Sequence, residues 1–187
     1  MKKMMCALVL VCGFFPAILG AQGNQEALVA EPLPATVSEA HWGAAAAKLD
    51  ANPQLEDMLR YAIEDEYLAH AEYVAILAKF GTQRPFSNIV EAEVQHIASL
   101  SNTYAAHGLV VPEDKGADYV KIPKTIKEAL ETGVQAEIDN IAMYDAFLKD
   151  KLMTQSANAD IRALFVSLRD ASKNHLGAFQ NALARYK

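Results

Sequence analysis

Residues 66–73 read EYLAHAEY and residues 93–96 read EVQH; further along, residues 137–144 read EIDNIAMY and residues 172–175 read SKNH. In each half a glutamate (Glu66, Glu137) precedes a tyrosine (Tyr73, Tyr144) by seven residues, two helical turns. In each half a histidine (His96, His175) then follows on a later segment, one turn after Glu93 in the first and after Ser172 in the second. All these residues interrupt stripes that are otherwise apolar. Burying a polar group on a core-facing stripe costs about 2–7 kcal/mol unless something compensates it, and burying a charge costs more. The commonest compensation for converging glutamate and histidine is a metal ion, so this repeat is where function is expected.

Four long helical patterns carry the repeat. The first is expected from the cap-like Asn52-Pro53 to Gly81, with Leu55, Leu59, Ala62, Ile63, Ala69, Tyr73, Ile76 and Leu77 on one face and Glu66 inside it. The second spans about 86–107, with Ile89, Ile97, Leu100 and Tyr104 around Glu93 and His96. The third starts at Thr125, whose spacing to Glu128 predicts a capping box, and runs to about Leu152, with Glu137 among Ile126, Ala129, Leu130, Gly133, Ile141, Tyr144 and Leu148. The fourth runs from near Asn158 almost to the end, with Ser172 and His175 among Ile161, Leu164, Phe165, Leu168 and Phe179.

Connection lengths set the topology. Short links make the first and second helices one antiparallel hairpin, and the third and fourth another. Residues 109–124 join the hairpins. Sixteen extended residues reach roughly 50 Å, against about 33 Å for a 22-residue helix. The link can therefore cross the whole body. Two antiparallel hairpins joined by a long crossover is the all-α arrangement of ferritin-like four-helix bundles.

The N-terminus reads as a processing signal. Lys2-Lys3 precede an apolar run from Met4 to Leu19, followed by Gly20, Ala21 and Gly23. Residues 1–21 are expected to be a signal peptide, 22–51 a tether in which Trp42 and an alanine run form a short helix, and 52–187 the bundle. The apolar run is short for a membrane span, which needs about 20 residues. Export to the periplasm or beyond the cell follows, with no membrane attachment of the mature chain. Cys6 and Cys12 both lie in the leader, which leaves no disulfide or cysteine metal site afterwards. The net charge is −6, and loss of Lys2 and Lys3 makes it two units more negative. No basic stripe marks a nucleic-acid partner.

Glu93 and His96, one turn apart, can share one ion, and carboxylate with imidazole suits iron or manganese. Glu66, Ala69 and Tyr73, then Glu93 with His96, then Glu137 and Tyr144 resemble the corresponding helices of rubrerythrin-like proteins of the ferritin-like superfamily. The stretch Ala171-Ser172-x-Asn174-His175-Leu176 is similar to an uncharacterised prokaryotic ferritin-like domain family. The resemblance covers about residues 53–185. It implies a metal site of Glu66, Glu93, His96, Glu137 and His175, with Tyr73 and Tyr144 beside it, and reaction with oxygen or peroxide supported by an external electron donor.

One position departs from the pattern: Ser172 stands where a second bridging glutamate belongs. Three carboxylates then face two divalent ions, which weakens the second of them. Asp139 and Asp170 lie on other faces, whereas Asn140, three after Glu137, can face inward with a neutral amide oxygen. The site is expected to be di-iron or a degenerate one-metal centre, and turnover as a non-haem oxidase or peroxidase stays open, as does a homodimer. The alternative is a metal-free bundle, its glutamates paired with its histidines in a polar network, serving as a binding module at the cell envelope. His70, His41, His107 and the pair Glu64-Asp65 are expected on flanks, ends or solvated faces.

Overall fold

A computed structural model describes residues 42–186. The expected signal peptide, most of the tether and His41 lie outside them. Among the described residues all regular structure is helical: α1 (Gly43–Leu49), α2 (Leu55–Phe80), α3 (Phe86–Ala106), α4 (Ile126–Lys149) and α5 (Ala159–Leu183), with short 3-10 turns between. The short helix expected around Trp42 is α1.

Capping explains where the long helices begin. The Asp57 carboxylate accepts the Gln54 amide at 3.0 Å, so α2 starts after Gln54 and not at Asn52-Pro53. Asn52 is held instead in a turn, its amide donating to Asp50. Glu56 and Asp57 add negative charge to the positive end of the helix dipole. Gly81, at φ 74°, ends α2 in a conformation that favours glycine. On α4, Thr125 Oγ1 accepts from the Glu128 amide as expected. The reciprocal half of the box differs: the Glu128 carboxylate takes the Lys124 amide, one residue earlier than the box predicts.

The link between the hairpins runs along α2. The Tyr67 hydroxyl donates to the Pro112 carbonyl, and Lys79 Nζ to the Pro123 carbonyl at 2.6 Å. Twelve helical residues separate these anchors, about 18 Å. Between them Gly116 lies on the Tyr67 carbonyl so closely that a Cβ would collide with it. The α4 helix therefore starts beside the C-terminal end of α2 and runs antiparallel to it, while α3 lies against both α2 and α5.

Two apolar clusters fill the interior. Met58, Leu59, Ile63, Leu100, Tyr144, Phe147, Phe165 and Leu168 belong to one. Tyr73, Ile76, Phe86, Ile89, Leu130 and Phe179 belong to the other. Each contains an aromatic triad, Tyr144–Phe147–Phe165 and Tyr73–Phe86–Phe179, with neighbouring ring centroids 5.1 to 6.3 Å apart. Gly133 lets the Phe179 ring approach α4, since a Cβ there would come within 2.9 Å of it. On α3, α4 and α5 the repeat's glutamates and histidines fall between the two clusters in sequence; on α2 Glu66 lies at the edge of the first cluster, just before Tyr67.

Candidate metal centre

All five expected ligands converge. Glu66, Glu93 and Glu137 are 1%, 2% and 3% exposed. His96 and His175 close one side, their rings 5.6 Å apart and inclined by 29°. His96 Nδ1 lies 3.0 Å from Glu66 Oε2 and 2.9 Å from Glu93 Oε2. His175 Nδ1 lies 3.3 Å from Glu93 Oε1 and 3.4 Å from Glu137 Oε1. Glu93 thus presents one oxygen to each histidine. The donor atoms form two groups, Glu66–Glu93–His96 and Glu93–Glu137–His175, each within 4.8 Å. Ligands at about 2.0–2.2 Å from one ion lie at most about 4.4 Å apart, and the histidine–carboxylate separations of 2.9 to 3.4 Å fall inside that limit.

The tyrosines hold the carboxylates crosswise. Tyr73 on α2 donates to Glu137 Oε1 on α4 at 3.1 Å, and Tyr144 on α4 donates to Glu66 Oε1 on α2 at 2.9 Å. Equal Glu-to-Tyr spacing on two antiparallel helices produces this exchange. Burial, with the neighbouring carboxylates, pushes both hydroxyls well above the usual tyrosine range, so they remain donors. Burial and the Glu66 charge push Glu93 up to about 10. Burial opposes a proton on His96, yet Glu66 and Glu93 hold it up to about 10. Glu66 is buried as well, and the bonds from His96 and Tyr144 outweigh that and keep it below its ordinary value.

Asn140 faces inward as expected, 6% exposed, and Ser172 is 2% exposed. Asn140 Oδ1 and Glu137 Oε2 have no hydrogen-bond partner. Asp170 is exposed and pairs with Arg169 and Lys173, and Asp139 accepts from Gln135, so neither replaces the absent glutamate. His70 lines a surface groove with Val74 and Ile122, and His107 pairs with Asp160 at the end of α3.

The Glu64-Asp65 pair overturns its expected place on a solvated face. Glu64 is buried and Asp65 half-buried, because α1 lies over them. The Gly43 amide donates to Glu64 Oε2 at 3.1 Å, the Ala44 amide to Asp65 Oδ1 at 2.9 Å, and the Trp42 indole to the Glu64 carbonyl at 2.9 Å. Trp42 also stacks on Tyr119, with centroids 4.7 Å apart. Burial pushes the Asp65 carboxyl up to about 8, against the bond from Ala44. The sequence signal for this strap was an alanine run with no acidic residue at its own start; the acids that cap it sit on α2.

No protein-family model matches the chain. It is 26% identical over 135 residues to the uncharacterised protein MJ0754 of Methanocaldococcus jannaschii, covering 66% of this chain and 71% of that protein. The crystal structure of the hypothetical protein MJ0754 from Methanococcus jannaschii DSM 2661 is similar at a TM-score of 0.61 and 22% identity, over 73% of this chain and 85% of that one. The likeness is one of fold.

Proposed function

We propose that this chain is a ferritin-like four-helix bundle, exported after loss of residues 1–21, that holds iron or manganese and reacts with oxygen or peroxide. The observation that carries this reading is Glu93, whose two oxygens serve two separate buried groups of three donors. The residues fit hard divalent cations: each group offers two carboxylates and an imidazole. Glu137 Oε2, buried without a partner, is an acceptor that a cation would satisfy. Bound iron supplies one-electron chemistry toward oxygen or peroxide, with an external donor to restore the reduced form.

The chain's own residues do the rest. Tyr73 and Tyr144 fix the orientation of Glu137 and Glu66. The aromatic triads exclude water from above and below the polar layer. The histidine side chains are 15% and 11% exposed, so the solvent edge of the site lies on its α3–α5 side, while α1 lies over the Glu64-Asp65 side of α2.

One observation favours a second reading, a metal-free polar core in a binding module. Both oxygens of Glu66 and both of Glu93 have partners within the protein. Metal content per chain, measured after expression with iron and manganese available, separates the two. One or two ions in the parent and none in a His96→Ala/His175→Ala variant is the expected result. A parent that takes up no ion on anaerobic ferrous addition would leave the polar core and direct attention to partners.

A further inference from the structure

Three buried side-chain polar atoms among the described residues lack a hydrogen-bond partner: Tyr104 Oη, Glu137 Oε2 and Asn140 Oδ1. The first belongs to the apolar cluster around Leu100. The other two sit one turn apart on the same face of α4, where Cβ atoms are about 5–6 Å from each other. An unsatisfied buried acceptor costs about 1–3 kcal/mol, so two on one turn call for an explanation. Both are acceptors, which means that they do not satisfy one another. Both belong to the half of the repeat in which Ser172 replaces a carboxylate. In the other half every oxygen of Glu66 is engaged.

Resting on the metal-binding reading above, we infer that Asn140 is itself a ligand: its amide oxygen joins Glu93, Glu137 and His175 around a hard divalent cation. The amide oxygen suits manganese or ferrous iron as a donor. It adds a fourth protein ligand but no charge, so it enlarges the donor set of this group without replacing the charge lost at Ser172. The two groups are then unequal. Glu66–Glu93–His96 depends on charged donors and a single imidazole, whereas the His175 group leans on a neutral amide that a substitution can remove or charge without touching the shared Glu93.

The test is titration of the full mature chain with Mn(II) alone, followed by calorimetry and by the electron paramagnetic resonance of free Mn(II). His96→Ala and His175→Ala assign each binding event to its group. Asn140→Leu keeps the volume and removes the donor; it is expected to weaken the ion assigned to His175 at least tenfold and to leave the other within about twofold. Asn140→Asp, which retains the side-chain shape, guards against a folding failure in the leucine variant and is expected to tighten the same ion at least tenfold. If the ion assigned to His175 binds both variants as it binds the parent, Asn140 is not a ligand and the metal-binding reading still stands. Asn140 is equally ruled out if the parent's only ion is assigned to His96. If the parent binds no Mn(II) or Fe(II), the metal reading fails and this inference falls with it.

Discussion

On the α2–α3 hairpin, Glu66 accepts from Tyr144 and contacts His96, and Glu93 reaches both histidines. On the α4–α5 hairpin, Glu137 accepts from Tyr73 and contacts His175 through the same oxygen, and its other oxygen has no partner. The two hairpins share one template, down to the matched aromatic triads. They differ where Ser172 stands against Glu93 and where Asn140 stands against Ala69, and the two open carbonyl-type acceptors, Glu137 Oε2 and Asn140 Oδ1, lie on the side that lost the carboxylate. A buried polar layer between two apolar clusters is costly, and the half whose carboxylate oxygens are all engaged, partly by Tyr144 and His175 from across the bundle, offsets more of that cost. The half that leaves acceptors open is where an added cation has most to gain.

The comparison breaks most completely at Glu93, the residue both groups use. Glu93→Gln keeps the shape and a hydrogen-bonding head but removes the shared charge. Binding of both ions should weaken by 100-fold or more, whereas a change confined to one half, such as His175→Ala, should spare the other. Calorimetric titration of each variant with Mn(II) checks this. Equal loss from both variants would mean that the halves are not separable. The reverse operation, Ser172→Glu, sharpens the comparison. It places a new carboxylate at a position 2% exposed and beside Glu93 and Glu137, which should cost the ion-free protein about 3 kcal/mol. Mn(II) should restore that stability and raise Tm more in the variant than in the parent, and thermal melts with and without the ion would show it.

Much of this asymmetry was legible in the sequence, because helical period and Glu-x-x-His spacing survive packing. Spacing alone puts Glu66, Glu93, His96, Glu137 and His175 each on the apolar face of its own helix, and the Ser172 departure is visible without coordinates. Helix ends were less legible, since a side chain from either direction can win an amide: Asp57 took that of Gln54, and Glu128 that of Lys124. Glu64 and Asp65 were misplaced for a different reason. Their faces are solvated on an isolated α2 and become buried only when α1, separated from them by about twenty residues, docks its amides there. No local pattern on α2 reports that contact. The crossing of the tyrosine bonds was likewise hidden, because it depends on α4 running antiparallel to α2.

Those crossing bonds give a smaller test. Tyr144→Phe and Tyr73→Phe each remove one hydroxyl from a buried carboxylate, at about 1–2 kcal/mol. The costs should differ. Glu66 keeps its 3.0 Å contact with His96, whereas Glu137 is left only with His175 at 3.4 Å. Tyr73→Phe should therefore be the more destabilising in the absence of ions and the better rescued by them. Urea unfolding with and without Mn(II) measures both differences, and a larger unrescued loss in Tyr144→Phe would reverse the assignment of the weaker half.

The smallest effect lies where the hairpins meet away from the site. His107, which caps α3, pairs with Asp160 in the first turn of α5 at 2.8 Å. The bond from His107 holds the Asp160 carboxyl below its ordinary value. A carboxylate depressed on folding adds stability that is fully present above its unfolded value, about 3.9, and is lost as pH falls through the lower folded value. Asp160 is largely exposed, so Asp160→Asn should cost at most about 1 kcal/mol at pH 5. Its deficit against the parent should shrink steadily below about pH 3.9. Because the contact joins the hairpins without touching the polar layer, the substitution should leave both ion affinities unchanged. A shift in either affinity would mean that the two halves communicate through their packing and not only through Glu93.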